Sequence, residues 1–161
     1  MLHPVENDTR GIGYCGPFVV AAITGRTLSE SLDAIREATH GPDWRTKFYR
    51  PPNICGTEAY QLFMALERFG YLVDLEDTAV LTRRFAGKRF KEFFKFSAKN
   101  KHVYMLDIGV GEGHWVAVSG NRMVESWSKG KIAYFKSGRN VHKPMLNWKI
   151  SRVIRVLEKP E

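Results

Sequence analysis

The run Phe18-Val19-Val20-Ala21-Ala22-Ile23 carries no polar side chain on any face, so a helix built on it must be surrounded by protein. Its flanks set its ends. Pro17 suits the first turn of a helix, where no hydrogen bond is lost, and Gly25 is a natural C-terminal stop. Gly13 and Gly16 free the backbone on either side of Cys15. Gly13–Gly25 therefore reads as a tight turn, a cysteine and a buried helix. Cys15 falls at the helix N-terminus, where unpaired amides and the macrodipole favour a thiolate and can hold an oxyanion. That makes Cys15 a candidate nucleophile; a small residue at a packing point is the other reading of a lone cysteine.

The rest of the chain alternates clear start and stop signals. Thr27-Leu28-Ser29-Glu30 fits a capping box opening a helix with Leu28, Leu32 and Ile35 inward, ended by His40-Gly41-Pro42. Asp43–Gly56 reads as a loop. Thr57 is the expected N-cap of a helix through Leu62, Phe63, Leu66 and Phe69, closed by Gly70. Tyr71–Leu75 reads as a strand, and Leu81–Ala98 as one basic helix whose Phe85, Phe90, Phe93, Phe94 and Phe96 supply a core face. Strands are expected at Val103–Ile108, His114–Ser119, Met123–Trp127, Lys131–Phe135 and Ile150–Val156, with a tight hairpin at Gly120-Asn121. The glycine-rich Gly109–Gly113 joins two strands, so it lacks the strand-to-helix setting of a phosphate cradle. Helices precede strands, which predicts an α+β class, N-terminal helices packed on a C-terminal antiparallel β-sheet. The 161 residues suit one domain, 1–161, with a sizeable core.

Charge is uneven. The formal net charge is +8, yet residues 1–81 are mildly acidic. Arg83, Arg84, Lys88, Arg89, Lys91, Lys95, Lys99 and Lys101 face only Glu92 within 82–101, and residues 129–159 are again basic. Such fields attract nucleic acid, anionic membranes or acidic proteins. The Phe residues between the bases sit at near-helical spacing, which points to packing rather than a stacking platform. No run is long and apolar enough for a membrane span and the start has no signal-peptide architecture, so a cytoplasmic location is expected. Cys15 and Cys55 are too few for a disulfide framework. His3, His40, His102 and His142 are scattered without metal-ligand spacing; neither a metal nor a cofactor is expected.

A thiol nucleophile needs a base within reach, and the base needs an orienting group. His114 opens a strand after a glycine loop and is the best base. A hairpin turning at Gly120-Asn121 brings residues around Ser126 and Trp127 opposite His114. Glu125 is the preferred orienter, because a carboxylate fixes the tautomer and stabilises imidazolium, and Ser126 is its rival in the adjacent register. Cys55 precedes a second helix and competes as nucleophile, without a nearby candidate histidine.

The order of these elements resembles the papain-like cysteine peptidase fold: a cysteine opening an apolar helix, a glycine-preceded histidine on a strand, an acid on the returning strand. Tyr14-Cys15-Gly16-Pro17 followed by Val19-Val20-Ala21-Ala22 is similar to the bacteriocin-leader (double-glycine) peptidases and related small bacterial and phage proteins. Gly113-His114-Trp115-Val116-Ala117-Val118 resembles their Gly-His-hydrophobic strand, and Val124-Glu125-Ser126-Trp127 the segment ending the hairpin in small phage members. The resemblance implies a hydrolase with a catalytic triad, Cys15 as nucleophile, His114 as general base and Glu125 as orienter. It implies a thioester intermediate and a peptide or protein substrate; peptidase, isopeptidase and amidase activities share these residues. For a phage-encoded member the location would be the host-cell cytoplasm. The chain departs from the family at the acid, usually Asp or Asn, and where a Gln commonly precedes the cysteine. Asn7, Asp8 and Thr9 stand there instead, leaving Asn7 or main-chain amides as oxyanion donors. The alternative of another class is a non-enzymatic phage or bacterial protein whose basic residues 83–101 and 129–159 engage nucleic acid or an acidic protein.

Overall fold

The computed structural model describes every residue except Ile12, Val110 and Glu161, so Val110 of the expected glycine loop lies outside the described residues. The apolar run forms helix α1 (Cys15–Thr24), buried from Gly16 to Ile23. Gly25 closes it in the left-handed region, φ 71°, donating its N–H to the Ala21 carbonyl. Helix α2 (Leu28–His40) starts with both halves of the capping box, Thr27 Oγ1 accepting from the Glu30 N–H and Glu30 accepting from the Thr27 N–H. The expected loop after α2 contains one helical turn, α3 (Trp44–Lys47), pinned by the buried Trp44 with Arg36 and Arg45 against its ring.

Helix α4 (Ala59–Arg68) begins one residue later than a Thr57 cap requires. Glu58 is the cap residue, its N–H donated to Gln61 Oε1 at 2.7 Å, while the Thr57 side chain packs over Gly16. Strand β1 (Tyr71–Asp74) leads directly into α5 (Leu75–Phe85), because the Asp74 carboxylate caps the new helix by accepting the Asp77 N–H at 2.9 Å. The expected single helix over Leu81–Ala98 is therefore two. The chain leaves α5, turns at Gly87 with φ 80°, and restarts as α6 (Phe90–Ser97). Gly87 donates to the Ile150 carbonyl at 2.8 Å, a bond to another segment that a continuous helix would forfeit.

The remaining strands are β2 (Val103–Ile108), β3 (His114–Ser119), β4 (Arg122–Val124), β5 (Ala133–Tyr134) and β6 (Ile150–Glu158). They join β1 in one antiparallel sheet of order β1-β6-β2-β3-β4-β5. The class is α+β, but the sheet is not purely C-terminal. Its edge strand β1 comes from between the helices, where Tyr71 and Val73 pack into the core. Beyond the end of β1, helix α5 completes the edge of β6: Thr82 Oγ1 donates to the Val153 carbonyl at 3.0 Å and accepts its N–H at 3.1 Å. Thr78 Oγ1 accepts the Arg155 N–H. Two threonines one helical turn apart thus satisfy backbone groups that a missing strand residue would otherwise take.

Alternation along the strands divides the core between the two faces of the sheet. Met105, Trp115, Ala117, Val124 and Ile154 meet α1, α2 and α4, whereas Leu106, Val116, Val118, Met123 and Val153 meet α5 and α6. Helices therefore cover both faces, and not only the face expected for an N-terminal layer. The reason is α6: its buried Phe90, Phe93 and Phe94 cover the second apolar face, which would otherwise be exposed to water.

Candidate active site

Three elements converge at one end of the sheet. α1 presents Cys15 at its N-terminus, β3 presents His114 as its first residue, and Glu125 directly follows β4. The hairpin register pairs Ala117 with Val124 and Ser119 with Arg122. Continued toward the open end, that register sets Glu125 opposite Val116, two residues from His114 and on the same face of the sheet. The side chains meet: His114 Nε2 lies 3.1 Å from Glu125 Oε2. The other ring nitrogen is then free for Cys15, which lines the same cleft as His114. Ser126, the rival orienter, lines the cleft without a side-chain hydrogen bond to His114.

Glu125 is fully buried and well supplied with donors. Besides His114 it accepts the Trp127 N–H on Oε2 at 2.5 Å and the Ser128 N–H on Oε1 at 2.6 Å. Burial pushes its carboxyl up, but hydrogen bonds from His114, Ser128 and Trp127 outweigh this, so it ionises below the usual carboxylate value. His114 follows the same logic with opposite charge. Burial disfavours the imidazolium, yet hydrogen bonds to Cys15 and Glu125 and the charges of both raise it from 6.5 to about 9. For Cys15 burial is the largest influence and raises the thiol. The His114 hydrogen bond and charge, with the main-chain amides of Trp115 and Gly16, reverse this and leave it below its ordinary value. Both shifts run toward a thiolate beside an imidazolium, with a buried carboxylate behind the ring.

These groups line a cleft of about 1000 Å³. Its wall beyond His114 is aromatic: the Trp127 ring lies 4.8 Å from the imidazole and Trp148 stands perpendicular to it at 6.2 Å. Trp148 was not legible as a cleft residue, because it sits before β6, far along the chain. The pairing of Gly109 N–H with the Lys149 carbonyl brings it alongside. On the other side, Trp115 Nε1 donates to the Thr57 carbonyl and Thr57 lies over Gly16, which fixes the N-terminus of α1 against β3.

Asp107 also escaped sequence reasoning. It sits on β2 opposite Trp115, and its carboxylate packs against Gly113, where an added Cβ would collide with Oδ1. Burial raises its carboxyl, against the opposing influence of Arg152 and the His114 N–H. The glycine before the candidate base is thus a steric requirement.

Tyr14 is the cap residue of α1 and lines the cleft. Asn7 lines it too, but its side-chain amide is engaged locally, Nδ2 donating to the Gly11 carbonyl and Oδ1 accepting from Thr9. Cys55 is exposed on the same cleft. Among the described residues no group of three His, Cys, Asp or Glu side chains is placed to hold a metal ion, and no helix is long and apolar enough to cross a membrane. Among known proteins, no family model, curated protein or solved structure matches this chain.

Proposed function

We propose that the protein is a cysteine-dependent hydrolase of the papain-like kind, acting on a peptide or protein amide bond through Cys15, His114 and Glu125. The observation that carries the reading is the His114 ring, held at 3.1 Å by the buried Glu125 and opening with Cys15 into one cleft. In this reading the Cys15 thiolate adds to the acyl carbon, and the carbonyl electrons move onto oxygen. The N-terminal amides of α1 offer themselves to that oxyanion, since Asn7 is engaged elsewhere. Collapse of the adduct breaks the C–N bond while the His114 imidazolium gives its proton to the leaving amine. A thioester on Cys15 remains. Water, deprotonated by the now neutral His114, adds to it and releases the acid and the thiolate. Glu125 holds the ring in position and stabilises its cation.

An extended substrate fits the surroundings better than a small amide. A second hollow of about 470 Å³ adjoins the cleft across Tyr14, lined by Arg10, Asp33 and Arg36. Tyr14 lines both, so a chain crossing it would meet both hollows. The basic residues of 83–101 and 129–159 supply a separate capacity, attraction of a polyanion, that draws on neither Cys15, His114 nor Glu125.

The test is alkylation by iodoacetamide at mildly acidic pH. Cys15 is expected to react well ahead of the more exposed Cys55, and Cys15→Ala to remove both that labelling and peptide turnover with the fold intact. Equal, slow labelling of the two thiols would sink the hydrolase reading.

A further inference from the structure

The basic segments that lie apart in the sequence come together in the fold, on the side of the molecule covered by α6. Helix α6 buries Phe90, Phe93, Phe94 and Ser97 and turns Lys91 and Lys95 to solvent, with Lys99 one turn further on. Phe135 packs against Phe90 and Phe94, which carries the exposed Lys136 to the flank of this helix. At the start of this helix the Phe90 N–H binds the Trp148 carbonyl, and Arg89 forms a backbone bridge with Lys149. The short turn at Lys143–Asn147 packs against α6 through the buried Met145.

We propose that this surface is a binding site for the phosphate backbone of a double-stranded nucleic acid, read by charge and not by base sequence. Lys91, Lys95 and Lys99 form its spine, with Arg89, Lys136 and Lys149 beside them. All six are exposed, and none takes part in an ion pair among the described residues. The one acid within 82–101, Glu92, has its carboxylate on the Arg89 N–H at 2.9 Å. The acids of α2 and α4 lie on the opposite face of the sheet, and those of α5, Glu76 and Asp77, stand in its first turn, whereas its last turn carries Arg83 and Arg84.

The chemistry of the surface separates its partners. Single strands are held by stacking bases on exposed aromatic rings. Here Phe90, Phe93 and Phe94 are buried, and Phe96 is half-buried beneath the Arg84 guanidinium. An anionic membrane is gripped by an amphipathic helix that inserts its apolar side, but the apolar side of α6 is already spent on the core. The surface left to solvent is a row of exposed cations whose aromatic neighbours are buried or half-buried. That matches a regular array of phosphates, which a duplex presents at about one charge per 1.7 Å of its axis.

The proposal is independent of the hydrolase reading and is tested on the same preparation. Fluorescence anisotropy of a labelled duplex of arbitrary sequence is compared with its single strand and with anionic phosphatidylserine vesicles. For about six phosphate contacts, duplex affinity is expected to fall roughly 10³-fold between about 50 and 200 mM salt. The set Lys91→Glu, Lys95→Glu, Lys99→Glu is expected to weaken duplex binding more than about tenfold and to flatten the salt slope by roughly 3. Lys47→Glu, on α3, is expected to leave binding unchanged. Selective Cys15 labelling should survive the triple substitution, so a lost duplex is distinguishable from a lost thiolate or a lost fold. The neutral set Lys91→Gln, Lys95→Gln, Lys99→Gln repeats the measurement with less perturbation. Absence of duplex binding at low salt, equal or tighter binding of the single strand or vesicles, or indifference to both triple sets would overturn the proposal.

Discussion

Glu125 Oε2 stands 3.1 Å from His114 Nε2, and the carboxylate that provides it is entirely shielded from solvent. A buried carboxylate is costly unless its lone pairs are taken up. Here the Trp127 and Ser128 amides take up what His114 leaves. The Ser126–Ser128 turn thus serves the site by making Glu125 tolerable as an anion.

Glu125→Gln keeps the volume and removes the charge. Its amide nitrogen must then face one of the donors that the carboxylate accepts, leaving a buried group unpaired at about 1–3 kcal/mol. In the hydrolase reading kcat is expected to fall about 10²–10⁴-fold, with His114 losing its raised pKa. Peptide turnover and NMR titration of the imidazole check this; an unchanged titration would remove Glu125 as the orienter.

Activity should show a bell-shaped pH profile. Turnover requires Cys15 deprotonated and His114 protonated, so the acid limb lies below the ordinary thiol value of 9.0 and the alkaline limb at about 9. Rates of single-turnover acylation against pH read both limbs. An acid limb at or above pH 9.0 would show that the thiol is not activated.

Stability should carry the same signature in its own direction. The folded state raises His114 from 6.5 to about 9, so it binds a proton more tightly than the unfolded chain does. That contribution is complete below pH 6.5 and disappears as pH rises through about 9. Glu125, lowered from 4.5, contributes above that value and loses its contribution as pH falls further. Cys15, lowered from 9.0, acts in the opposite direction, so in urea unfolding from about pH 6 to 10 the alkaline loss is expected to be partly offset, and His114→Ala to remove it.

Gly113→Ala tests the steric demand before His114. The methyl group meets the Asp107 carboxylate, itself backed by the sheet, so β3 must shift at its first residue. Activity should drop more than tenfold for a stability loss of about 1–3 kcal/mol. Pairing it with Asp107→Ala, which vacates the space, is expected to recover much of the stability.

Thr82→Val removes the hydroxyl that both donates to and accepts from Val153. The side chain keeps its shape, so the loss isolates the edge-closing bonds, expected at about 1–3 kcal/mol in urea unfolding. Because α5 lies away from the cleft, Cys15 labelling should be unaffected.

Local chemistry made the individual elements legible. The apolar run between Pro17 and Gly25 has one stable form, and Thr27 with Glu30 can cap only a helix that starts at Leu28. The turn at Gly120-Asn121 limited the partners of His114 to a few residues of the returning strand, but a one-residue slip separates Glu125 from Ser126. Periodicity could not see the break at Gly87, because the N–H it frees is satisfied by Ile150, a residue far along the chain. Nor could it show Trp148 in the cleft wall or Lys136 and Lys149 beside α6.

By itself, then, the sequence determined a cysteine at the head of a buried helix, a histidine at the head of a strand and an acid in the returning hairpin. These are consequences of short-range sterics, capping and alternation. Only the tertiary structure decided that Glu125 meets His114, that Cys15 and His114 line one cleft, and that scattered bases share a surface with α6. Those outcomes depend on packing across the sheet, where Phe90, Phe94 and Phe135 on one face and Thr57 with Trp115 on the other fix which distant segments touch.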